Sequence, residues 1–466
     1  MKIITIENAV KLIKDKSNII ITGFGNHHIP NNILLAIKNS YLNNNHPSNI
    51  NLITGISAGN LSLDDIGLNT LAIPNLVDKI ITSHMGMSKK MANLIYENQI
   101  KAYTIPLGVY LQLLKTTNNV ITKIGLNTFC DPRLDKAMAN DLTKQDNQEL
   151  VSLININNQE YLSYKPFDID ICIIKASIVD KYGNISYTKQ DIIDDSYDAI
   201  IATHNKGGIV IVETNNIVDK IDNSDIIIPN MFIDYVIVVE DNNKKEETNL
   251  IKKDEKRDII GKRASLELKN NSIINIGVGM PESIFKYIKE EDNIIVTLES
   301  GFIGGNIKTG VDFGLSTNYK ARLKMSDMLN LYNSNFLDIA FLGAAQVDKN
   351  GCVNVSKFGS RTVGPGGFID IVSNCKKIVF MTTLTNKKNE AKFKNEIEQI
   401  TFSNKLAIEN NIEVLYITEA CVFKLTQKGL LLTEIDNNLT INDILNKMEF
   451  IPNIDASLLA KERRND

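Results

Sequence analysis

Two phrases fix how the chain is read: Ser17-Asn-Ile-Ile-Ile-Thr-Gly-Phe-Gly-Asn-His-His-Ile-Pro-Asn-Asn-Ile-Leu-Leu-Ala-Ile37 and Asn271-Ser-Ile-Ile-Asn-Ile-Gly-Val-Gly-Met-Pro-Glu-Ser-Ile-Phe-Lys-Tyr-Ile288. Each is an apolar run of strand length, a G-x-G turn, a proline, and then a stretch with helical apolar spacing. Proline is favoured in a first helical turn because the N–H it lacks would be unpaired there. One copy opens each half of the chain, which points to two related α/β domains in tandem.

Working outward, short Ile- and Val-rich runs alternate with helix-length amphipathic stretches, the pattern of buried parallel strands. Strands are expected at Asn18–Ile21, Asn51–Thr54, Asp170–Lys175, Gly208–Glu213 and Asp234–Val239. In the second half they are expected at Ser272–Ile276, Ile294–Leu298, Ile339–Leu342, Lys377–Met381 and Glu413–Tyr416. Between the halves, Asp241–Asp258 is dense in charge and poor in large apolar groups, so it reads as a solvated linker. The expected division is a first domain over 1–240, the linker over 241–258, and a second domain over 259–466. A second shared phrase supports duplication: Ile178-Val-Asp-Lys-Tyr-Gly-Asn-Ile-Ser186 matches Val347-Asp-Lys-Asn-Gly-Cys-Val-Asn-Val-Ser356, each a hairpin about a polar turn.

Bulk properties exclude several classes. A net charge of -4 over 466 residues offers no basic field for nucleic acid or anionic membrane. Five scattered cysteines without a CxxC pair fit reduced thiols and give no zinc spacing. The N-terminus lacks the apolar core of a signal peptide, and no stretch approaches the roughly 20 apolar residues of a membrane span. A cytoplasmic protein that engages neither membrane nor nucleic acid is expected.

The chemistry concentrates in the second half. In Val296-Thr-Leu-Glu-Ser-Gly-Phe-Ile-Gly-Gly305, an apolar strand delivers Glu299 at its C-terminal end, among small residues. Such strand ends are where ligands bind in open α/β sheets, and glycines let another molecule approach the backbone. On the segment alone, Glu299 is a nucleophile, a base, a metal ligand, or merely a capping or ion-paired carboxylate. Downstream, Phe358-Gly-Ser-Arg-Thr-Val-Gly-Pro-Gly-Gly-Phe-Ile-Asp370 forms a second glycine-rich loop, suited to an anion or a developing oxyanion, or to a plain turn.

The segments ESGFIGG, FLDIAFLGAAQVDKNGCVNVSKFG, GPGGFIDI and EQITFS, with GLNTFCDPRLD (Gly125–Asp135), KGGIVIVE (Lys206–Glu213) and LTQKGLLLTEI (Leu425–Ile435), resemble the acetate/propionate branch of the family I CoA-transferases. That resemblance runs in order along nearly the whole chain. It implies two tandem α/β domains of the CoA-transferase and sugar-phosphate-isomerase superfold, with mainly parallel sheets and the active site between them. It makes Glu299 the nucleophile and a backbone N–H of Gly366-Gly367 an oxyanion donor. It also places Gly277-Val278-Gly279 against CoA and Phe358-Gly359 along the pantetheine channel. Lys387 and Lys388 either meet CoA phosphates or are an ordinary solvated pair. The implied reaction needs no cofactor beyond CoA and acyl-CoA as substrates, no metal, and a homodimer or homotetramer as the assembly.

The sequence departs from the family pattern in places. The first G-x-G phrase has Thr22 and His28 where relatives carry glycine, and the pair His27-His28 reads as loop rather than metal ligand. At Ile105-Pro106-Leu107-Gly108, relatives place Gln where Leu107 stands, and Leu107 cannot donate its side chain to an oxyanion. Asn333-Ser334-Asn335 replaces a glycine-rich run, and Leu384–Lys392 is short. Two other outcomes are consistent with this sequence. One is a non-catalytic relative that binds CoA or a sugar phosphate, and the other is an acyl-CoA hydrolase using the same glutamate.

Overall fold

A computed structural model describes every residue except 1, 57, 60–64, 147, 190, 241–253, 360 and 466. The first half builds an eight-stranded sheet from Lys2–Ile3 (β1), Asn18–Ile21 (β2), Ile50–Ile56 (β3), Val77–His84 (β4), Lys101–Thr104 (β5), Ile171–Ala176 (β6), Ile209–Thr214 (β7) and Tyr235–Val238 (β8). Its order is β1-β8-β7-β6-β2-β3-β4-β5, and every pairing is parallel. The near-continuous apolar runs are explained by this geometry, since both faces of such a sheet are covered. Ile19, Ile20, Ile173, Ile174, Val210 and Val212 are wholly buried. Each such side chain contributes about 1.5–3 kcal/mol relative to exposure.

The second half carries a ten-stranded sheet: Ile273–Ile276 (β9), Ile295–Thr297 (β10), Phe302–Ile303 (β11), Ala321–Arg322 (β12), Ile339–Gly343 (β13), Lys377–Met381 (β14), Glu413–Ile417 (β15), Cys421–Thr426 (β16), Gly429–Ile435 (β17) and Asn453–Ile454 (β18), in the order β12-β11-β10-β9-β13-β14-β15-β16-β17-β18. Strands β10, β9, β13, β14 and β15 run parallel, and antiparallel strands extend the sheet on both sides. The run β8-β7-β6-β2-β3 in the first sheet repeats as β15-β14-β13-β9-β10 in the second. In both, the hairpin of the shared phrase follows the third strand of that run: Ile178–Asp180 against Ile185–Ser186, and Gln346–Asp348 against Val353–Asn354. The sheet order thus repeats as the two phrases do.

The paired G-x-G phrases differ in their helices. After the first comes a true α-helix, Asn31–Asn44 (α1), closed by Asn45 in the left-handed region. Its N-terminus is held from the sheet by the buried carboxylate of Glu213, which accepts from the Ile33 N–H (2.9 Å) and the Asn32 amide (3.0 Å). After the second phrase, Met280–Tyr287 is a 3₁₀ helix. There Ser283 Oγ donates to the Met280 carbonyl (2.8 Å), competing with regular α-helical pairing.

The expected linker is cut short. Residues 241–253 lie outside the described residues, but Asp254 caps a helix over Glu255–Ser265 (α2), so the last residues of the charged run are helical. Charged residues at helical spacing on an exposed face explain why composition alone pointed to coil. No described helix is long and apolar enough to cross a membrane.

Candidate active site

The two halves meet at the C-terminal ends of their sheets. Phe24, after β2, packs on Phe313 with ring centroids 5.5 Å apart. The Met325 N–H donates to the Ile193 carbonyl (2.9 Å), and Arg322 donates to the carbonyls of Thr188 and Asp191. Glu299 stands in this seam, two residues beyond β10.

The strand beneath Glu299 is fixed from below. Tyr332 donates to Thr297 Oγ1 (3.0 Å), and Asn275 donates to the Thr297 carbonyl (3.2 Å) from the neighbouring strand. Ser300 turns inward and donates to the Gly314 carbonyl (2.5 Å). Gly301 has φ +106, and a Cβ there would lie 2.2 Å from the Leu323 carbonyl oxygen, so no other residue fits. These contacts leave the Glu299 carboxylate facing the glycine loop.

That loop is clamped between the halves. The Gly366 N–H donates to the Ser83 carbonyl (2.9 Å), and the Leu107 N–H donates to the Gly366 carbonyl (2.9 Å). Gly366 is therefore not an oxyanion donor: its N–H is spent holding the loop to β4. The neighbouring Gly367 N–H instead faces the Glu299 carboxylate. A Cβ on Gly367 would come within 2.4 Å of Glu299 Oε2, which measures how closely the loop sits on the glutamate.

Behind the loop lies a second acid that sequence reasoning did not single out. Asp370 is wholly buried on the helix Phe368–Asn374; it accepts from the Gly108 N–H (2.9 Å) and from Asn333 Nδ2 (3.4 Å). Burial pushes the Asp370 carboxyl up to about 7. Burial also pushes Glu299 up to about 7, the negative charge of Asp370 adds to the rise, and the Gly367 N–H opposes it. Asn333, from the segment that replaces a glycine run, thus bonds to the acid next to the site. The signal in sequence was the acidic end of the phrase GPGGFID, which is indistinguishable there from a helix-start aspartate.

The remaining predicted residues are spread about this centre. Gly277-Val278-Gly279 follows β9, the strand beside β10, with Val278 62% exposed. The Gly277 N–H is spent on the Phe341 carbonyl (2.8 Å), and Arg257 anchors the Gly279 carbonyl. Phe358 lies in a hairpin, Lys357–Phe358 against Arg361–Thr362, that leads directly into the glycine loop. The Gly359 N–H is donated to Glu398 (2.6 Å). Lys387 lies six residues beyond β14. It is exposed on the 385–391 turn, whose bonds stay among Asn386, Lys388 and Glu390. His28 is structural: burial alone would lower its pKa, but the hydrogen bond to Asp194 (2.9 Å) and the nearby carboxylate of Asp191 (3.8 Å) reverse this and raise it to about 9.

A carboxylate at a strand end, seated on one backbone donor between two domains, is suited to nucleophilic attack on a carbonyl. The model for the coenzyme A transferase family matches residues 3–239 and 257–447. This chain belongs to the coenzyme A transferase family. It is 33% identical to caffeate CoA-transferase of Acetobacterium woodii, covering 98% of this chain and 96% of that protein. It is 32% identical to acetate CoA-transferase YdiF of Escherichia coli K12, covering 99% and 94%. The crystal structure of the YdiF apoenzyme from E. coli O157:H7 superposes on this CoA-transferase with a TM-score of 0.90 at 31% identity, over 98% of this chain and 94% of that one. A thioester complex of that enzyme with CoA gives 0.88 at 30%, over the same shares.

Proposed function

We propose that this CoA-transferase moves CoA between a short-chain acyl-CoA and a free acid of the acetate, propionate or butyrate class, by a ping-pong cycle through a CoA thioester on Glu299. The observation that carries the reading is the Glu299 carboxylate held against the Gly367 N–H in the seam between the halves. Attack on the thioester carbonyl gives an acyl-glutamyl anhydride and CoA thiolate. The thiolate then attacks the glutamyl carbonyl, the first acid leaves, and an incoming acid reverses the sequence. One thioester becomes another, so the cycle balances without ATP, metal or redox partner. Likeness to an acetate CoA-transferase supports the short acid. A cytoplasmic homodimer or homotetramer belongs to the same proposal.

The test is incubation with acetyl-CoA, borohydride or hydroxylamine trapping, and mass spectrometry of the peptide containing Glu299. A CoA-dependent change at Glu299 is expected, and its absence across acetyl-, propionyl- and butyryl-CoA would sink the proposal. Loss of thioester that depends on added acid separates transfer from hydrolysis.

The raised carboxyls predict the pH dependence. Only the Glu299 carboxylate attacks, so kcat/KM is expected to fall as pH drops below about 7. The limb belongs to the Glu299–Asp370 pair rather than to either acid alone. Asp370→Asn removes the negative charge that raises Glu299, so the limb is expected to move to lower pH. A pH–rate series on both proteins checks this; a limb that stays put or moves upward contradicts the neighbourhood described above.

A further inference from the structure

With the Leu107 side chain unable to donate, the Gly366 N–H spent on Ser83 and the Gly367 N–H turned to the Glu299 carboxylate, none of these groups is free for the carbonyl that Glu299 attacks. A candidate stands beside the same loop. His84 is the last residue of β4, and its chain neighbours are tied to the loop on both sides. Ser83 accepts from the Gly366 N–H (2.9 Å), and the Met85 N–H donates to the Val363 carbonyl (2.6 Å). A Cβ on Gly366 would lie 3.7 Å from His84 Cβ and 3.8 Å from Cδ2, so the imidazole flanks the residue next to the Glu299-binding glycine.

The state of the ring follows from its surroundings. His84 Nδ1 accepts from the Gly86 N–H (3.3 Å), which leaves the proton of the neutral ring on Nε2. Burial, with the nearby charge of Arg361, pushes His84 down to about 4, so the ring is neutral at pH 7. Among the described residues, Nε2 has no protein hydrogen-bond partner. Leu107 offers no competitor: its Cδ1 packs 3.3 Å from where a Cβ on Gly55 would sit.

We infer that His84 is an oxyanion donor, its Nε2–H meeting the oxygen that turns negative when Glu299 attacks an acyl-CoA carbonyl, while the Gly367 N–H stays with the glutamyl carboxyl. The inference rests on the Glu299 reading above. As the Glu299 oxygen bonds to the carbonyl carbon, the carbonyl π pair moves onto oxygen. Collapse restores C=O, breaks the C–S bond and expels CoA thiolate. His84 stays neutral throughout, and no proton changes hands.

Single-turnover formation of the Glu299 thioester from acetyl-CoA, read by quench-flow mass spectrometry, tests it. His84→Ala is expected to slow that step by about 10²–10³-fold, the usual effect of losing one such donor. CoA affinity and melting temperature should stay near those of the parent. His84→Gln, whose amide N–H reaches the same region, should recover most of the rate, and His84→Phe, which keeps only ring packing, should not. A His84→Ala rate within threefold of the parent overturns the inference, as does recovery by Phe equal to that by Gln. If His84→Ala does not fold, the Gln and Phe variants carry the comparison. A parent enzyme that forms no thioester overturns the Glu299 reading and this one with it, whereas a parent that forms it beside an indifferent His84→Ala overturns this one alone.

Discussion

Glu299→Ala is expected to leave a folded protein without transferase activity. The side chain is the nucleophile of the proposed cycle, and loss of a nucleophile in other covalent enzymes removes roughly 10⁶-fold in kcat. Among the described residues Glu299 makes no ion pair, and its strand is held by Tyr332, Asn275 and Ser300 rather than by its own carboxylate, so the melting temperature should change little. Glu299→Asp separates nucleophilicity from mere charge. It keeps a carboxylate but withdraws it by one methylene, and misplacement on the order of 1 Å costs roughly 10²-fold. Turnover with acetyl-CoA and a panel of acids, alongside thermal melting, provides the check. Near-normal turnover in Glu299→Ala would remove the nucleophile assignment and every step built on it.

The second large effect is expected from adding a single methyl group. Gly367 has φ −83 and ψ 3, a conformation open to any residue, so Gly367→Ala carries no backbone penalty. Its new Cβ would lie 2.4 Å from Glu299 Oε2 and 2.8 Å from Cδ, well inside contact distance. Either the glutamate swings away from its attack position or the loop retreats and takes its N–H with it. Both outcomes lower kcat, by about 10²-fold or more, with little change in melting temperature. A kcat within a few-fold of the parent would show that the loop and the glutamate do not meet as described. Gly366→Ala would act differently. Its φ of +54 penalises any side chain, and the damage should show first in stability.

Much of this protein was legible before its folding was known. All ten expected strands are present within a few residues, because strands buried on both faces must be apolar throughout and short apolar runs are easy to see. The duplicated phrases anticipated a sheet order that repeats between the halves. Other features were not legible. Whether Glu255–Asp258, the end of the charged run, is coil or helix turned on the cap of Asp254 and on packing, not on composition.

The sequence by itself determined the repeated α/β architecture, the family, and the presence of a glutamate at a glycine-flanked strand end, since these follow from local pattern. Only the tertiary structure decided which groups surround that glutamate. Asp370, Asn333 and His84 lie between 34 and 215 positions from Glu299 along the chain, and backbone N–H groups look identical in any sequence. That Gly366 is spent on Ser83 while Gly367 faces Glu299 is settled by how two sheets meet end to end. The same meeting raises the pKa of the glutamate, because it withdraws Glu299 in part and Asp370 wholly from water.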